Sequence, residues 1–419
     1  MKKYFLMSVA LLLGAASFTS CSDDDDNNTS EAAYSDKSYG QNAIDACSRV
    51  SNSLTAANEK VGSAKLTDEQ TAELKQVLSN LVDNVIVPTY TQLANDTEAL
   101  QNTLKGFTVN TLTQTAVNNA CTQFKAARQH WERSEAFLMG AAKEFDIDPT
   151  IDSWPLNRSL LLTYLRSGRT DFSSEELEDA TILGFHALEF FLFRNGQPRN
   201  VEEFKNNDTY KNFTNISGAT ELAYAQRICE LLVQRCYQLQ VAWEGQTSAN
   251  ASRYAVVQKA GLDVVNAKGL TFGNNLKNAG TSNSTFPTIA DAITQVLSAD
   301  EGSCVGIANE VGTAKIANPF SAGYVFYVES PFSYNSITDF QDNIRSIRNV
   351  WYGTLDGNTA SHSFSQFFAN NATAQGRDVE TNVNDAINLI GIMPAPFVKY
   401  VSTIWNIAYE DDSRTSVPE

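Results

Sequence analysis

The stretch ILGFHALEFFLF occupies residues 182–193 and holds two ionisable side chains, His186 and Glu189, among residues that are almost all apolar. A helix that is apolar nearly all round is an interior helix. On such a helix the two side chains share one face because they are three residues apart, and Gly184 leaves room for a neighbouring segment. A buried carboxylate costs several kcal/mol unless a partner or a metal ion compensates it. We therefore expect an interior helix whose carboxylate is compensated by a partner or by a metal ion.

Helical periodicity extends outward from this stretch in both directions. Thr67 and Gln70 have the spacing of a capping box, and apolar residues recur at three- and four-residue steps after them. Pro88 is expected to kink or end that helix. Further helices are predicted at 121–145, 221–245, 288–298, 303–328, 337–354 and 380–410. Alternating strand patterns are scarce, so the sequence predicts an all-α fold of two tandem helical bundles packed together with a site between them.

The composition divides the 419 residues into four parts. Residues 1–20 read as a signal peptide and 21–40 as an acidic, polar tether. An N-terminal helical bundle is predicted at 41–247 and a C-terminal bundle at 254–412, because Gly, Ser and Asn concentrate at 245–253. These residue types favour loops over helices.

The first residues have the pattern of a targeting segment. Lys2 and Lys3 precede an apolar run, and SFTSC ends this run at Cys21. The pattern resembles a bacterial lipoprotein signal with cleavage before Cys21 and lipid on that cysteine, which would anchor the chain to a membrane. The acidic run SDDDDNN directly afterwards is either a solvated spacer or resembles a surface-export signal. We expect an outer-membrane lipoprotein exposed at the cell surface, with the periplasmic face as the alternative.

Charge and cysteine usage exclude several classes of protein. The formal charge of -17 argues against nucleic acid as a partner. No segment after the leader has about 18 uninterrupted apolar residues, so no membrane-spanning helix is expected. The cysteines beyond Cys21 form no CxxC motif, which indicates neither a zinc site nor a disulfide framework.

His186 and Glu189 allow two interpretations. They can form a hydrogen-bonded core pair that fixes helix packing. Alternatively, an imidazole and a carboxylate three residues apart reproduce the ligand spacing of metal sites in helical bundles. The chain has only three histidines, and the one that looks buried lies beside a buried carboxylate. We therefore predict both residues as metal ligands, suited to iron, manganese or zinc.

Two ligands do not hold a metal ion, so other side chains must converge on them. The candidates for auxiliary or ligand-binding roles are Glu135, Asp152, Glu329, Ser333 and Asp339. Other roles are open to three of them: Glu135 can form a surface ion pair, and Asp152 can cap its loop. Asp339 stands three residues after Ser336, where a capping-box acid would be.

Five segments together carry a family resemblance. They are VIVPTY (85–90), WERSEAF (131–137), IDSWPL (151–156), GFHALEF (184–190), and ESPFSYNSITDF followed by IRNVWYG in the second half. In this order and spacing they resemble the imelysin-like family of bacterial surface and periplasmic proteins. The resemblance implies two helical domains with a site between them, centred on His186 and Glu189. The family is associated both with metallopeptidase activity and with iron uptake.

The residues themselves favour binding over catalysis. The zinc-protease motif HExxH is absent, and the inverted motif HxxEH would need a histidine at Phe190. No serine or cysteine lies in a recognisable nucleophile motif. We expect a lipoprotein that binds a divalent or ferric metal ion, iron more than zinc, or an iron-bearing small ligand, for iron uptake. The alternatives are a metallopeptidase using His186 and Glu189, and a module that binds a peptide or glycan.

Overall fold

The computed structural model describes residues 31–62, 65–173, 177–205, 216–299, 302–321 and 324–402. Helices make up most of these ranges, and their only strands form one short hairpin, so the prediction of an all-α fold is confirmed. No helix among the described residues is both long and apolar enough to cross a membrane. Cys21 and the predicted signal peptide lie outside the described residues.

The helices of the first half are α1 (Glu31–Ser35), α2 (Ser38–Gly62), α3 (Asp68–Leu81), α4 (Val87–Lys105), α5 (Gln114–Glu132), α6 (Ala141–Glu144), α7 (Asp148–Asp152), α8 (Arg158–Arg166), α9 (Gly184–Leu192), α10 (Val201–Lys205) and α11 (Gly218–Glu244). Two 3-10 turns, at Glu135–Phe137 and Ala180–Ile182, and a π-helical segment at Val82–Ile86 join them. Strands β1 (Phe193–Arg194) and β2 (Gln197–Pro198) follow α9.

The second half contains α12 (Ala251–Lys259), α13 (Phe272–Lys277), α14 (Ile289–Leu297), α15 (Cys304–Glu310), α16 (Asn318–Phe320), α17 (Ser336–Tyr352), α18 (Phe364–Asn371), α19 (Thr373–Gly391) and α20 (Phe397–Val401). A π-helical segment at Val311–Ala317 connects α15 to α16, and a 3-10 turn lies at Val325–Tyr327.

The long helices pack around one large apolar core. In the first half, α4 packs against α5 and α11, and α9 packs against α11. Helix α2 packs mainly against α19, α14 and α15, although it lies within the predicted N-terminal bundle. The division at 41–247 and 254–412 stays a prediction. Within the predicted tether, residues 31–35 form α1 and residues 38–40 begin α2.

The prediction of one continuous helix over 121–145 is wrong. Helix α5 ends at Glu132, and a 3-10 turn at Glu135–Phe137 follows. The second half explains the break, because the hydroxyl of Ser346 on α17 accepts a hydrogen bond from the backbone N–H of Ala136 at 3.0 Å. A tertiary contact thus replaces the helical partner of this N–H, and Glu135 is a buried residue of the turn.

Three other predicted helix boundaries also move. The helix expected to kink or end at Pro88 does not end there, since the π-helical segment before it runs directly into α4. The helix predicted at 303–328 ends at Phe320, and the one predicted at 380–410 is interrupted after Gly391. Pro394 and Pro396 follow that interruption. Proline lacks the N–H that a helix interior requires.

Gly184 determines how closely α9 approaches α7. Its φ is 68°, a conformation that favours glycine, and a Cβ atom here would collide with the backbone carbonyl of Ile151. Asp152, the last residue of α7, is therefore brought beside His186 on α9. This is the close approach that the glycine suggested from the sequence.

The hairpin after α9 was not predicted, although its turn has a recognisable signature. Asn195 and Gly196 both have positive φ, 52° and 83°, as the Asn-Gly pair of a two-residue hairpin turn requires. The backbone N–H of Gly196 donates to the carbonyl of Phe332 at 2.9 Å. The hairpin thereby attaches the end of α9 to the segment that precedes α17.

Candidate metal centre

Two carboxylate side chains and one imidazole converge in the interior. The ligand atoms of Asp152, His186 and Glu329 all lie within 4.8 Å of one another. These three residues, called the triad below, come from the end of α7, from α9 and from the loop before α17. Their side chains are 5%, 3% and 0% exposed. The triad therefore joins the two halves of the chain in a site shielded from solvent.

Arg128 on α5 lies at the centre of the surrounding charges. Its guanidinium forms ion pairs with Asp152 and with Glu132, and its Nη2 lies 2.7 Å from Glu329 Oε1. Its Nε lies 3.8 Å from a carboxylate oxygen of Asp339. One buried cation from the first half thus links carboxylates of both halves.

A second buried cation comes from the π-helical segment before α16. Lys315 Nζ lies 2.9 Å from Glu329 Oε1 and 3.6 Å from Glu310 Oε1. Glu329 Oε1 therefore receives both Arg128 and Lys315, while its other oxygen, Oε2, is buried without a hydrogen-bond partner among the described residues.

His186 is held from both of its ring nitrogens. Nδ1 lies 3.2 Å from Glu189 Oε2, and Nε2 lies 3.2 Å from Asp152 Oδ1. Burial and the charge of Arg128 act to lower the pKa of His186, but the two carboxylates outweigh them and raise it to about 9. The imidazole is therefore protonated at neutral pH when no metal ion is present.

Glu189 connects α9 to the second half. Its Oε1 accepts hydrogen bonds from the Ser333 hydroxyl at 2.7 Å and from the backbone N–H groups of Ser333 at 2.7 Å and Phe332 at 3.1 Å. With one oxygen on this loop and the other on Nδ1 of His186, Glu189 sets the orientation of the imidazole. Its carboxylate is compensated by these donors on one oxygen and by the protonated imidazole of His186 on the other.

Negative charge exceeds positive charge around the triad. The buried carboxylates are those of Glu132, Asp152, Glu189, Glu329 and Asp339, and the cations are Arg128, Lys315 and protonated His186. Five carboxylates thus face three cations. Burial raises the pKa of Asp339 to about 7 and that of Glu132 well above its usual range, although Arg128 opposes both shifts. Protons compensate for the missing positive charge, and a divalent cation could replace them.

The donor atoms of the triad fit a metal ion. Glu329 Oε2 is a buried atom without a hydrogen-bond partner in the described part of the chain. His186 Nε2 is close to Asp152 Oδ1, but the two atoms do not have the geometry of a hydrogen bond. One imidazole nitrogen and two carboxylate oxygens suit iron, manganese or zinc. Such a site requires that Arg128 and Lys315 give up part of their contact with the carboxylates.

A cavity of about 320 Å³ lies next to the triad. Asp152 and Lys315 line it on the side of the triad, and Glu135, Asp148 and Glu310 line it elsewhere. The cavity therefore lies between segments of the first half, 135–154, and of the second half, 302–315.

Sequence comparison adds a decisive observation. The family model described as Imelysin matches residues 86–406, far more than half of the 419 residues. This chain belongs to the imelysin family. The resemblance inferred from the five quoted segments is confirmed.

Two relatives extend this imelysin assignment. Iron-regulated protein A of Synechococcus elongatus is 24% identical over 291 residues, which cover 70% of this chain and 68% of the relative. A crystal structure from Parabacteroides distasonis, provisionally named an iron-regulated protein A precursor, is 25% identical with a TM-score of 0.66. The match covers 84% of this chain and 94% of that one. Both relatives are similar to this chain over most of its length.

The structure places the candidate residues predicted from the sequence at different positions around the site. Asp152 and Glu329 join His186 in the triad, and Ser333 contacts Glu189. Glu135 is not part of the triad and lines the cavity instead. Their roles as ligands or auxiliary residues stay predictions.

Asp339 lies at the edge of the charge cluster. Its carboxylate accepts hydrogen bonds from the Ser330 hydroxyl and from the side-chain amide of Asn335. Asn335 is the residue before the first turn of α17. Asp339 therefore holds this helix start in place, as well as facing Arg128.

The sequence analysis missed Arg128, Glu132 and Lys315. Arg128 stands four residues after a core phenylalanine and four before Glu132, so it lies on the inner face of α5. Lys315 continues a stripe of buried residues spaced three or four apart, Cys304, Ile307, Ala308 and Val311. For both Arg128 and Lys315, a cationic residue on an otherwise apolar helical face was the sequence feature that could have indicated a buried partner for the carboxylates.

Proposed function

We propose that this imelysin-family protein binds a metal ion through Asp152, His186 and Glu329. The observation that carries the proposal is the convergence of these three buried donors within 4.8 Å, two of which offer an atom without a hydrogen-bond partner among the described residues. Iron is the preferred ion. The donor set accepts it, and the names of both relatives refer to regulation by iron.

Glu189 positions the ligand His186 and does not itself contact the ion. In metal centres a carboxylate on the far nitrogen of a histidine fixes the ring and increases its basicity. Glu189 contacts Nδ1 of His186 in this way and leaves Nε2 for the ion. Ser333 holds the carboxylate from the other half. The His186–Glu189 pair is thus assigned one ligand and one positioning residue.

Arg128 and Lys315 keep the carboxylates compensated before the ion arrives. Since each contacts Glu329 in the triad, an incoming cation competes with them for the same oxygens. A bound ion would supply positive charge where protons on Asp339 and Glu132 now compensate for its shortage. Metal binding should therefore release protons, including the one on His186.

Storage or transfer of the ion fits the site better than peptide hydrolysis does. The triad side chains are at most 5% exposed, so a polypeptide cannot reach them without a rearrangement. We assign the chain a role in iron uptake as a lipoprotein anchored through Cys21 at the outer-membrane surface. The support for this location is the sequence of the first residues alone.

Metal analysis of the purified protein tests the proposal. The protein is incubated with Fe(II) without oxygen, and separately with zinc, then desalted and examined by elemental analysis beside His186→Ala. We expect about one tightly held ion per chain in the unchanged protein and none in the variant. His130→Ala is the matched control, because His130 pairs with Asp96 on α4 and not with a triad residue, and it should retain the ion.

Two results would contradict or redirect this proposal. Absence of metal in the unchanged protein, or equal metal content in His186→Ala with its helical circular dichroism intact, would leave the triad as a structural charge cluster. Cleavage of an unfolded protein substrate that depends on metal and on His186 would favour the metallopeptidase over the binding protein.

A further inference from the structure

The cavity beside the triad has a chemistry of its own. Five carboxylates line it, those of Glu135, Asp146, Asp148, Asp152 and Glu310. Three of them come from three separate elements: Glu135 from the 3-10 turn after α5, Asp148 from the start of α7 and Glu310 from the end of α15. The first two belong to one half of the chain and the third to the other. None of the three belongs to the triad.

Glu135 is the least expected of these carboxylates. The residue is only 5% exposed, yet its carboxylate forms no hydrogen bond or ion pair with any residue in the described part of the chain. Its small accessible surface faces the cavity. Burial raises the pKa of Glu135 well above its usual range, although the charge of Lys315 acts to lower it. A proton therefore neutralises this carboxylate when the cavity holds no cation, and a cation in the cavity can take the place of that proton.

The cations near the cavity compensate Glu135 only in part, since Lys315 attracts its carboxylate without forming an ion pair with it. Lys315 lies 2.9 Å from Glu329 and 3.6 Å from Glu310, so its charge is directed to those residues. Lys143 lies at the rim with an exposed side chain. Burial, reinforced by the neighbouring carboxylates of Asp152 and Glu310, raises the pKa of Asp148 to about 7.

The spacing of the carboxylates indicates the kind of cation. In the described residues the only set of three potential ligands within 4.8 Å is the triad, so Glu135, Asp148 and Glu310 stand too far apart to bind one bare ion together. A cation that keeps its water shell bridges such distances. Six waters need roughly 180 Å³ at about 30 Å³ each, which the cavity of about 320 Å³ accommodates.

We infer that this cavity is a second cation subsite, in which Glu135, Asp148 and Glu310 hold a hydrated divalent cation through its water molecules. The subsite does not depend on metal binding at the triad. Asp152 lines the cavity and also belongs to the triad, so the two sites are neighbours. A hydrated ion in the cavity is therefore next to the triad, whose donor atoms can replace the water molecules bound to the ion.

Manganese titration followed by electron paramagnetic resonance tests the inference, because free Mn²⁺ gives a strong signal that binding suppresses. The full chain should show two classes of site. Glu135→Gln should weaken one class about 10- to 100-fold and leave the other unchanged. Glu144→Gln is the matched control, because Glu144 is exposed and does not line the cavity, and it should titrate like the unchanged protein.

His186→Ala separates the two proposals, since it should remove only the triad class and leave the class that depends on Glu135. If both variants removed the same single class, or if Glu135→Gln titrated like the unchanged chain, the second subsite would be disproved. Asp148→Asn provides a second test should Glu135→Gln fail to fold, and it should weaken the same class.

Discussion

The triad and the neighbouring cavity are two clusters of buried carboxylates that differ in how charge is compensated. Around the triad, Arg128 and Lys315 contact the carboxylates directly. In the cavity, Glu135 has no such partner among the described residues and faces open volume. The first site must therefore exchange protein cations for an ion, whereas Glu135 in the second can receive one without breaking an ion pair of its own.

The largest effect is expected from Arg128→Ala. Removing this guanidinium leaves Asp152, Glu132 and Glu329 without their shared buried partner. Breaking a buried ion pair by deleting one member costs about 3–5 kcal/mol. Urea unfolding of the metal-free protein measures the loss, and added metal should restore part of it.

Arg227→Ala is the control for that substitution. Arg227 pairs with Glu230 at the surface, with side chains 20% and 47% exposed, and a surface pair contributes about 0–1 kcal/mol. A loss of stability in Arg128→Ala no larger than in this control would mean that Arg128 does not hold the charge cluster together.

A smaller effect is expected from Glu189→Gln, which keeps the shape of the side chain and removes its charge. The imidazole of His186 loses the carboxylate that orients it, and loss of such a partner weakens metal binding about 10- to 100-fold. Competition with a coloured chelator measures the change. An affinity equal to that of the unchanged protein would place Glu189 outside the metal centre.

The stability of the metal-free protein should fall as pH rises from about 5 to 9. The pKa of Asp339 is raised by burial to about 7, and that of His186 to about 9 by the carboxylates of Asp152 and Glu189 against its burial. In the unfolded chain these groups titrate near about 3.9 and 6.5. The folded state therefore holds more protons between these values, and stability decreases with pH.

Each group changes stability by at most about 1.4 kcal/mol per pH unit within its own window. Unfolding midpoints in urea at several pH values measure the slope. Asp339→Asn should reduce the pH dependence of stability below about pH 7 and leave the pH dependence caused by His186 unchanged. A slope that Asp339→Asn does not change would remove this residue from the pH dependence.

The smallest effect is expected from Ser333→Ala. The hydroxyl donates to Glu189 at 2.7 Å, but two backbone N–H groups donate to the same oxygen. Loss of one such hydrogen bond costs about 0.5–1.5 kcal/mol, measured by urea unfolding. Metal affinity should change less than in Glu189→Gln, and a larger change would show that the hydroxyl contacts the ion or its water.

The residues nearest to α9 were predictable from the sequence, and those that complete the site from a distance were less so. An apolar helix with His186 and Glu189 on one face follows from period and composition. Asp152 and Glu329 were predicted only as candidate auxiliary or ligand-binding residues. The sequence could not assign a separate role to each candidate residue. These roles depend on which carboxylate oxygen contacts which nitrogen once the two halves of the chain have packed together.

The break after Glu132 shows why such details escape sequence reasoning. Helical periodicity continues through residues 121–145, but the helix ends at Glu132, and beyond it the N–H of Ala136 donates to the hydroxyl of Ser346, 210 residues away. The same break places Glu135 at the cavity. Arg128 and Lys315 were missed because an inward cation was not weighed as a partner for the buried acids.

The most direct test of the central claim is anomalous X-ray diffraction from crystals soaked in Fe(II) without oxygen, measured on both sides of the iron absorption edge. The account expects an iron peak between Asp152, His186 and Glu329, about 2.0–2.2 Å from Nε2 of His186. Side chains of Arg128 and Lys315 should be displaced from the triad carboxylates. No iron peak at the triad, with Arg128 still on Asp152 and Glu329, would contradict the metal centre.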